Sequence, residues 1–93
     1  KISTLLKKYG VHYYCPVPGG YGASHLDYIC CHFGRYLAVE AKAWNSNMHM
    51  TKRQTALAEQ IARAGGTVME VSNEQTLGQL EGWCLKNAYY SNL

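Results

Sequence analysis

The sequence carries little charge, and little of it is acidic. Charged residues fill 16% of its 93 positions, with 6 Asp and Glu against 9 Lys and Arg, a formal charge of +3 with neutral histidines. So modest an excess permits a polyanionic partner without requiring one. Proline occurs twice and no Pro/Gly period runs through the chain, which excludes a fibrous repeat. No apolar run approaches the ~20 residues of a membrane span, and no charged-then-apolar leader begins at Lys1. A cytoplasmic, non-secreted protein with no membrane partner is therefore expected. No CxxC spacing joins Cys15, Cys30, Cys31 and Cys84. Adjacent Cys30 and Cys31 on a strand would point to opposite faces, a poor start for chelating one metal. Two disulfides are arithmetically open, but reduced, mostly buried thiols are the expectation. There is no internal repeat, linker or low-complexity tract. A second hydrophobic core would need roughly 50 more residues, so 1–93 reads as one domain.

What is present is a core. Apolar residues make up 47% of the chain, too many for disorder. Ile2, Leu5, Leu6 and Tyr9 recur at helical spacing, and Gly10 is placed to stop that helix. Val11–Cys15 is short, β-branched and aromatic, and the glycine-rich stretch Pro16–Ser24 follows as a loop. Leu26–His32 and Arg35–Lys42 read as strands, and Trp44–Met50 as a polar connector. Thr51–Ala64 is the clearest helix, with Leu57, Ile61 and Ala64 on one face and Gly65-Gly66 after it. Thr67–Val71 is a strand, and Asn73 to about Asn87 a final helix with Leu77, Leu80 and Cys84 on one stripe. The order α-β-β-β-α-β-α predicts an α/β layer structure with a mixed sheet. Gly78 and Gly82 sit inside the last helix, either to admit a close backbone approach or as plain weak points.

Chemistry concentrates between Asp27 and Lys42. With Phe33-Gly34 as a two-residue hairpin loop, His32 pairs with Arg35, Tyr28 with Val39, and Asp27 with Glu40. Directly opposed residues have Cβ atoms ~4.5–5.5 Å apart, and Lys42 shares the strand face of Glu40. Two carboxylates and an ammonium are thus gathered on one hairpin, in a strand that is otherwise apolar. Like charges so close need a cation. Lys42 supplies one positive charge, and a divalent metal on hard oxygen ligands would supply two. That is the minimum for metal-assisted phosphodiester hydrolysis, against which stands a plain salt bridge on a sheet face.

Asp27, then Glu40-Ala41-Lys42, then Thr51-x-x-Gln54 on the next helix, then Gly65-Gly66 before a strand, together resemble the PD-(D/E)XK nuclease superfamily. The compact VRR-NUC type of phage and bacterial proteins is the nearest pattern, matched over roughly Leu5 to Val71. The resemblance implies a restriction-endonuclease-like αβββαβ core, its central mixed sheet flanked by helices. It further implies Mg²⁺ or Mn²⁺ as cofactor and DNA as substrate. By that likeness Asp27, Glu40 and the Ala41 carbonyl are metal ligands, Lys42 stands beside the attacking water, and Gln54 supports the site. Gln54 also fits a capping box with Thr51, which needs no catalysis. The chain departs from the pattern in lacking an acid on its first helix and a Gly-x-Pro before Asp27.

Excluding Asp27, Glu40 and Lys42 leaves eight basic and four acidic residues, a more basic remainder. Lys52 and Arg53 at the main helix start, with Tyr21, Ser24 and His25 ahead of Asp27, are the expected nucleic-acid contacts. Tyr13 and Tyr14 either pack or stack on unpaired bases, and His49 is a possible site neighbour. So short a chain has little surface with which to grip a duplex, so a homodimer acting on branched or nicked DNA is expected. A non-catalytic nucleic-acid-binding module with the same fold is the alternative.

Overall fold

Residues 1–17 and 25–89 are described by the computed structural model. Its elements are α1 (Ile2–Lys8), β1 (His12–Tyr14), β2 (Tyr28–His32), β3 (Arg35–Ala41), α2 (Lys52–Arg63), β4 (Thr67–Val71) and α3 (Glu74–Tyr89). The four strands form one mixed sheet in the order β1-β2-β3-β4: the first three are antiparallel and β4 runs parallel to β3. This is an α/β fold with three helices. Strands are a residue or two shorter than the apolar runs suggest, because Leu26, Asp27 and Lys42 lie just beyond the ladders.

The glycine stops work by one device. Gly10 takes φ +69°, letting the Val11 N–H reach the Leu6 carbonyl at 3.0 Å and the Gly10 N–H reach Lys7 at 3.1 Å. Gly65 takes φ +96°, and Gly66 and Gly65 donate to Ile61 and Ala62 at 2.9 and 3.0 Å. Both are Schellman ends, which use up carbonyls a helix leaves without partners. At the other end of α2, Thr51 and Gln54 form the reciprocal capping box. Asn73 caps α3, its Oδ1 accepting the Thr76 N–H at 2.8 Å.

The hairpin keeps the expected register, His32 opposite Arg35 through Tyr28 opposite Val39. Phe33 and Gly34 both lie at positive φ, 51° and 78°, as a type I′ turn demands. Phe33 is an uncommon residue there, and its ring lies on His32 with centroids 4.6 Å apart.

Helices α1 and α3 cover one face of the sheet. Cys30, Leu37, Val39 and Val71 from the strands meet Ile2, Leu6, Leu80, Trp83 and Cys84 from the helices. His32 is buried with them and donates from Nε2 to the Cys84 carbonyl at 3.1 Å, tying the hairpin to α3. The second face is thinly covered. Helix α2 packs along β4, and none of its residues is buried; Leu57 and Ile61 are half-covered, while Ala64 is an exposed cap residue. The apolar stripe of α2 therefore marks a sheet-facing flank rather than a core helix.

All four cysteines are free, and two of them, Cys15 and Cys31, are exposed, so the thiols are half rather than mostly buried. Cys30 and Cys31 do point to opposite faces. Burial pushes the thiol of Cys30 up to about 12 and that of Cys84 up to about 11, so both are inert near neutral pH. Among the described residues no helix is long and apolar enough to cross a membrane.

A Cβ added at Gly78 or Gly82 would meet nothing within 4 Å, so neither glycine serves a close approach to the described residues of its own chain. Both are weak points of α3. Gly78→Ala and Gly82→Ala are each expected to stabilise the protein by about 0.5–1 kcal/mol, which a thermal melt reads as several degrees. An unchanged or lowered Tm in both variants would contradict this.

Candidate active site

Strand alternation decides what the site is made of. Leu37, Val39 and Ala41 turn toward α1 and α3, so Tyr36, Ala38 and Glu40 turn the other way, and Lys42 continues that second row. Glu40 is only 4% exposed, an ionisable group in an apolar strand. Each of its oxygens is engaged. Oε1 accepts the Asp27 backbone N–H at 3.2 Å, and Oε2 accepts Gln54 Nε2 at 2.6 Å. Lys42 Nζ lies 3.3 Å from Oε2 and donates to Gln54 Oε1 at 3.0 Å, with its side chain 11% exposed.

Gln54 forms the expected capping box and also contacts Glu40 and Lys42. Its N–H donates to Thr51 Oγ1 at 3.2 Å, and its Oε1 accepts the Thr51 N–H at 3.0 Å while also holding Lys42. The helix cap and the site share one amide.

Asp27 and Glu40 are not a ladder pair, as the extrapolated register has them. The ladder ends at Tyr28–Val39, and the exposed Asp27 carboxylate accepts the Ala41 N–H at 2.9 Å. The two acids thus interlock: Asp27 offers its N–H to the Glu40 carboxylate, and its own carboxylate takes the N–H of the residue after Glu40. Backbone dipoles stand where two like charges would otherwise meet.

Glu70 was missed. The parallel register sets it beside Glu40, with Oε1 2.8 Å from His49 Nδ1 and Oε2 accepting the Met50 N–H at 3.0 Å. It anchors the connector that delivers the start of α2 to Glu40. The alternation Val68, Glu70 along β4 was visible in the sequence, but its register against β3 was not. His49 is mostly exposed and belongs to this anchor.

Lys52 and Arg53 lie exposed in the first turn of α2, and neither forms an ion pair among the described residues. His25 is exposed two residues before Asp27. Tyr21 and Ser24 lie outside the described residues. Tyr13 packs in the core against Tyr28, with centroids 6.0 Å apart, whereas Tyr14 is exposed.

Among the described residues, no three His, Cys, Asp or Glu side chains are grouped to hold a metal ion. Asp27 and Glu40 are two carboxylates near one another. With a carbonyl they could form an all-oxygen donor set, the kind that suits hard divalent ions rather than a thiophilic one. The site lies at the C-terminal ends of the parallel strands β3 and β4, where open α/β sheets bind ligands, and beside the N-terminus of α2, which favours phosphate. No protein-family model matches the chain, and no curated protein is significantly similar to it.

Proposed function

We propose that this protein is a metal-dependent endonuclease that hydrolyses DNA phosphodiester bonds. The scaffold would be a restriction-endonuclease-like αβββαβ core of the PD-(D/E)XK, VRR-NUC kind. One observation carries the proposal: Glu40, Lys42 and Gln54 form a largely buried hydrogen-bonded unit, and the exposed Asp27 donates its backbone N–H to Glu40. Ionised groups are costly in such a strand, and a plain surface bridge does not require burying them.

In this reading Asp27, Glu40 and the Ala41 carbonyl would hold Mg²⁺ or Mn²⁺, which would supply Lewis acidity and activate water for attack. Lys42, fixed by Gln54 and Glu40, presents its ammonium to the scissile phosphate and steadies the charge that develops there. Lys52 and Arg53 take neighbouring phosphates, contacts that position the substrate without reading bases. A homodimer would set two such sites on two strands, which suits nicked or branched DNA.

The test is cleavage of linear, nicked, single-stranded and four-way DNA with and without Mn²⁺. Metal-dependent incision is expected, fastest on the branched substrates. Intact DNA in every lane would remove the proposal.

A second reading is favoured by the engagement of both Glu40 oxygens within the protein. The network is then a lock between sheet and helix, and the chain a non-catalytic nucleic-acid-binding module. Calorimetric titration with Mn²⁺ in the presence of uncut DNA separates the two, since the module takes up no metal.

A further inference from the structure

Among the described residues, no helix covers the β1–β2 side of the second sheet face. Helix α2 packs along β4 there, while α1 packs on β1 and α3 on β2, on the opposite face. Register fixes what the bare part displays. Tyr14 pairs with Ile29 and that with Ala38, while Tyr36 pairs with Cys31. Tyr14 on β1 and Tyr36 on β3 therefore flank β2 on one face, with strand axes about 10 Å apart. Tyr14 is 57% and Tyr36 43% exposed, and Ile29 and Cys31 form the floor between them.

Tyr36 is held, not loose. A Cβ at Gly66 would lie 2.9 Å from its ring, so the ring rests against the Gly65–Gly66 turn and Ile61. Burial there, and then the phenol of Tyr14, raise the pKa of its hydroxyl, so the ring stays neutral toward a polyanion. Tyr36, Ala38 and Glu40 occupy one row of β3, which Lys42 continues just past its end. A ligand lying on Tyr36 is thus about 13 Å, along a straight strand, from the carboxylate of Glu40.

Cations stand at both ends. Beside Tyr36 opens a cavity of about 790 Å³ whose lining includes Arg35 and Lys86 and no carboxylate. Neither cation forms an ion pair among the described residues. Lys52 and Arg53 stand at the other end. An aromatic floor between cationic ends matches an unpaired polynucleotide strand, whose bases offer π-faces and whose backbone is anionic. A duplex hides those faces.

We propose that Tyr14 and Tyr36, with Ile29 and Cys31 between them, form a stacking platform for unpaired bases, making the substrate a single-stranded or splayed polynucleotide. The binding claim stands on this face alone. The word substrate rests on the nuclease reading above.

The experiment uses the whole chain in EDTA, with fluorescence anisotropy of a labelled oligo(dT) and of a blunt hairpin duplex. Oligo(dT) is expected to bind about 10-fold or more tightly than the duplex. Tyr14→Ala and Tyr36→Ala are each expected to weaken it about 5- to 100-fold, while Tyr14→Phe and Tyr36→Phe keep it. Tyr14 is on an exposed edge strand, so its variants stay informative if Tyr36→Ala unfolds, which circular dichroism checks. Equal affinity for the duplex, or an unaffected Tyr14→Ala, overturns the platform. So does sedimentation showing Tyr14-dependent self-association without oligo(dT) binding, which assigns the face to a second copy. Binding in EDTA reports the platform and cleavage in Mn²⁺ reports the nuclease, so the two fail separately.

Discussion

Asp27→Asn is expected to lower Mn²⁺-dependent cleavage by at least about 100-fold while leaving the fold and DNA binding in place. Asp27 is exposed, and among the described residues its side chain makes one hydrogen bond, accepting the Ala41 N–H at 2.9 Å. Asparagine keeps an oxygen for that N–H. It removes only the negative charge, one of the two carboxylates a divalent ion would need. Loss of activity with an unchanged melting curve and unchanged binding in EDTA therefore isolates the electrostatic role. Wild-type nicking by Asp27→Asn would sink the mechanism, because no fold defect could be masking the result.

Lys42→Ala is expected to act on stability as well as on cleavage. Its ammonium and the Glu40 carboxylate have side-chain exposures of 11% and 6%, and the pair is joined through Gln54. Removing Lys42 leaves the buried Glu40 carboxylate with two hydrogen-bond donors but no counter-charge, at a cost of about 3 kcal/mol, a large share of what a small domain has. Urea denaturation reads this as a lower midpoint at unchanged slope. Replacing both partners together, Glu40→Gln with Lys42→Met, is expected to recover most of the loss, since neither charge then remains. A single-variant loss below about 1 kcal/mol would class the pair with ordinary surface bridges. Activity of Lys42→Ala has meaning only at temperatures where the variant is folded, which is why Asp27→Asn is the cleaner probe.

The parts of this structure legible from residues alone are those set by near neighbours in the chain. His32-Phe33-Gly34-Arg35 determines the hairpin register, although Phe33 is a poor type I′ residue, because a slip would turn Leu37 and Val39 to the open face. Gly10 and Gly65 end helices for a conformational reason visible in any sequence. The opposite facing of Cys30 and Cys31 follows from the pleat. What resisted reading depends on elements meeting across distance. Glu70 joins Glu40 only through a parallel register set beyond α2. The crosswise embrace of Asp27 and Ala41 appears only where the ladder stops, which periodicity does not locate. Leu57 and Ile61 promise a buried helix, yet they lie on a sheet half without other cover, so α2 buries nothing fully.

The parallel pairing of β4 with β3 also has a bearing on time. Asp27, Glu40 and Lys42 belong to one hairpin, whose strands meet through a two-residue turn on a timescale of about microseconds. Gln54 and Glu70 lie beyond it, on the crossover, and take their places only after the whole α2 segment has closed back onto the sheet. Closing that longer loop is slower, because its entropy is lost before its contacts form. During refolding the hairpin that carries the charged pair is therefore expected to form before the amide reaches it. Weakening Gln54 or Glu70 is a late effect that falls on the rate of unfolding, whereas weakening the turn at Phe33-Gly34 falls on the rate of folding.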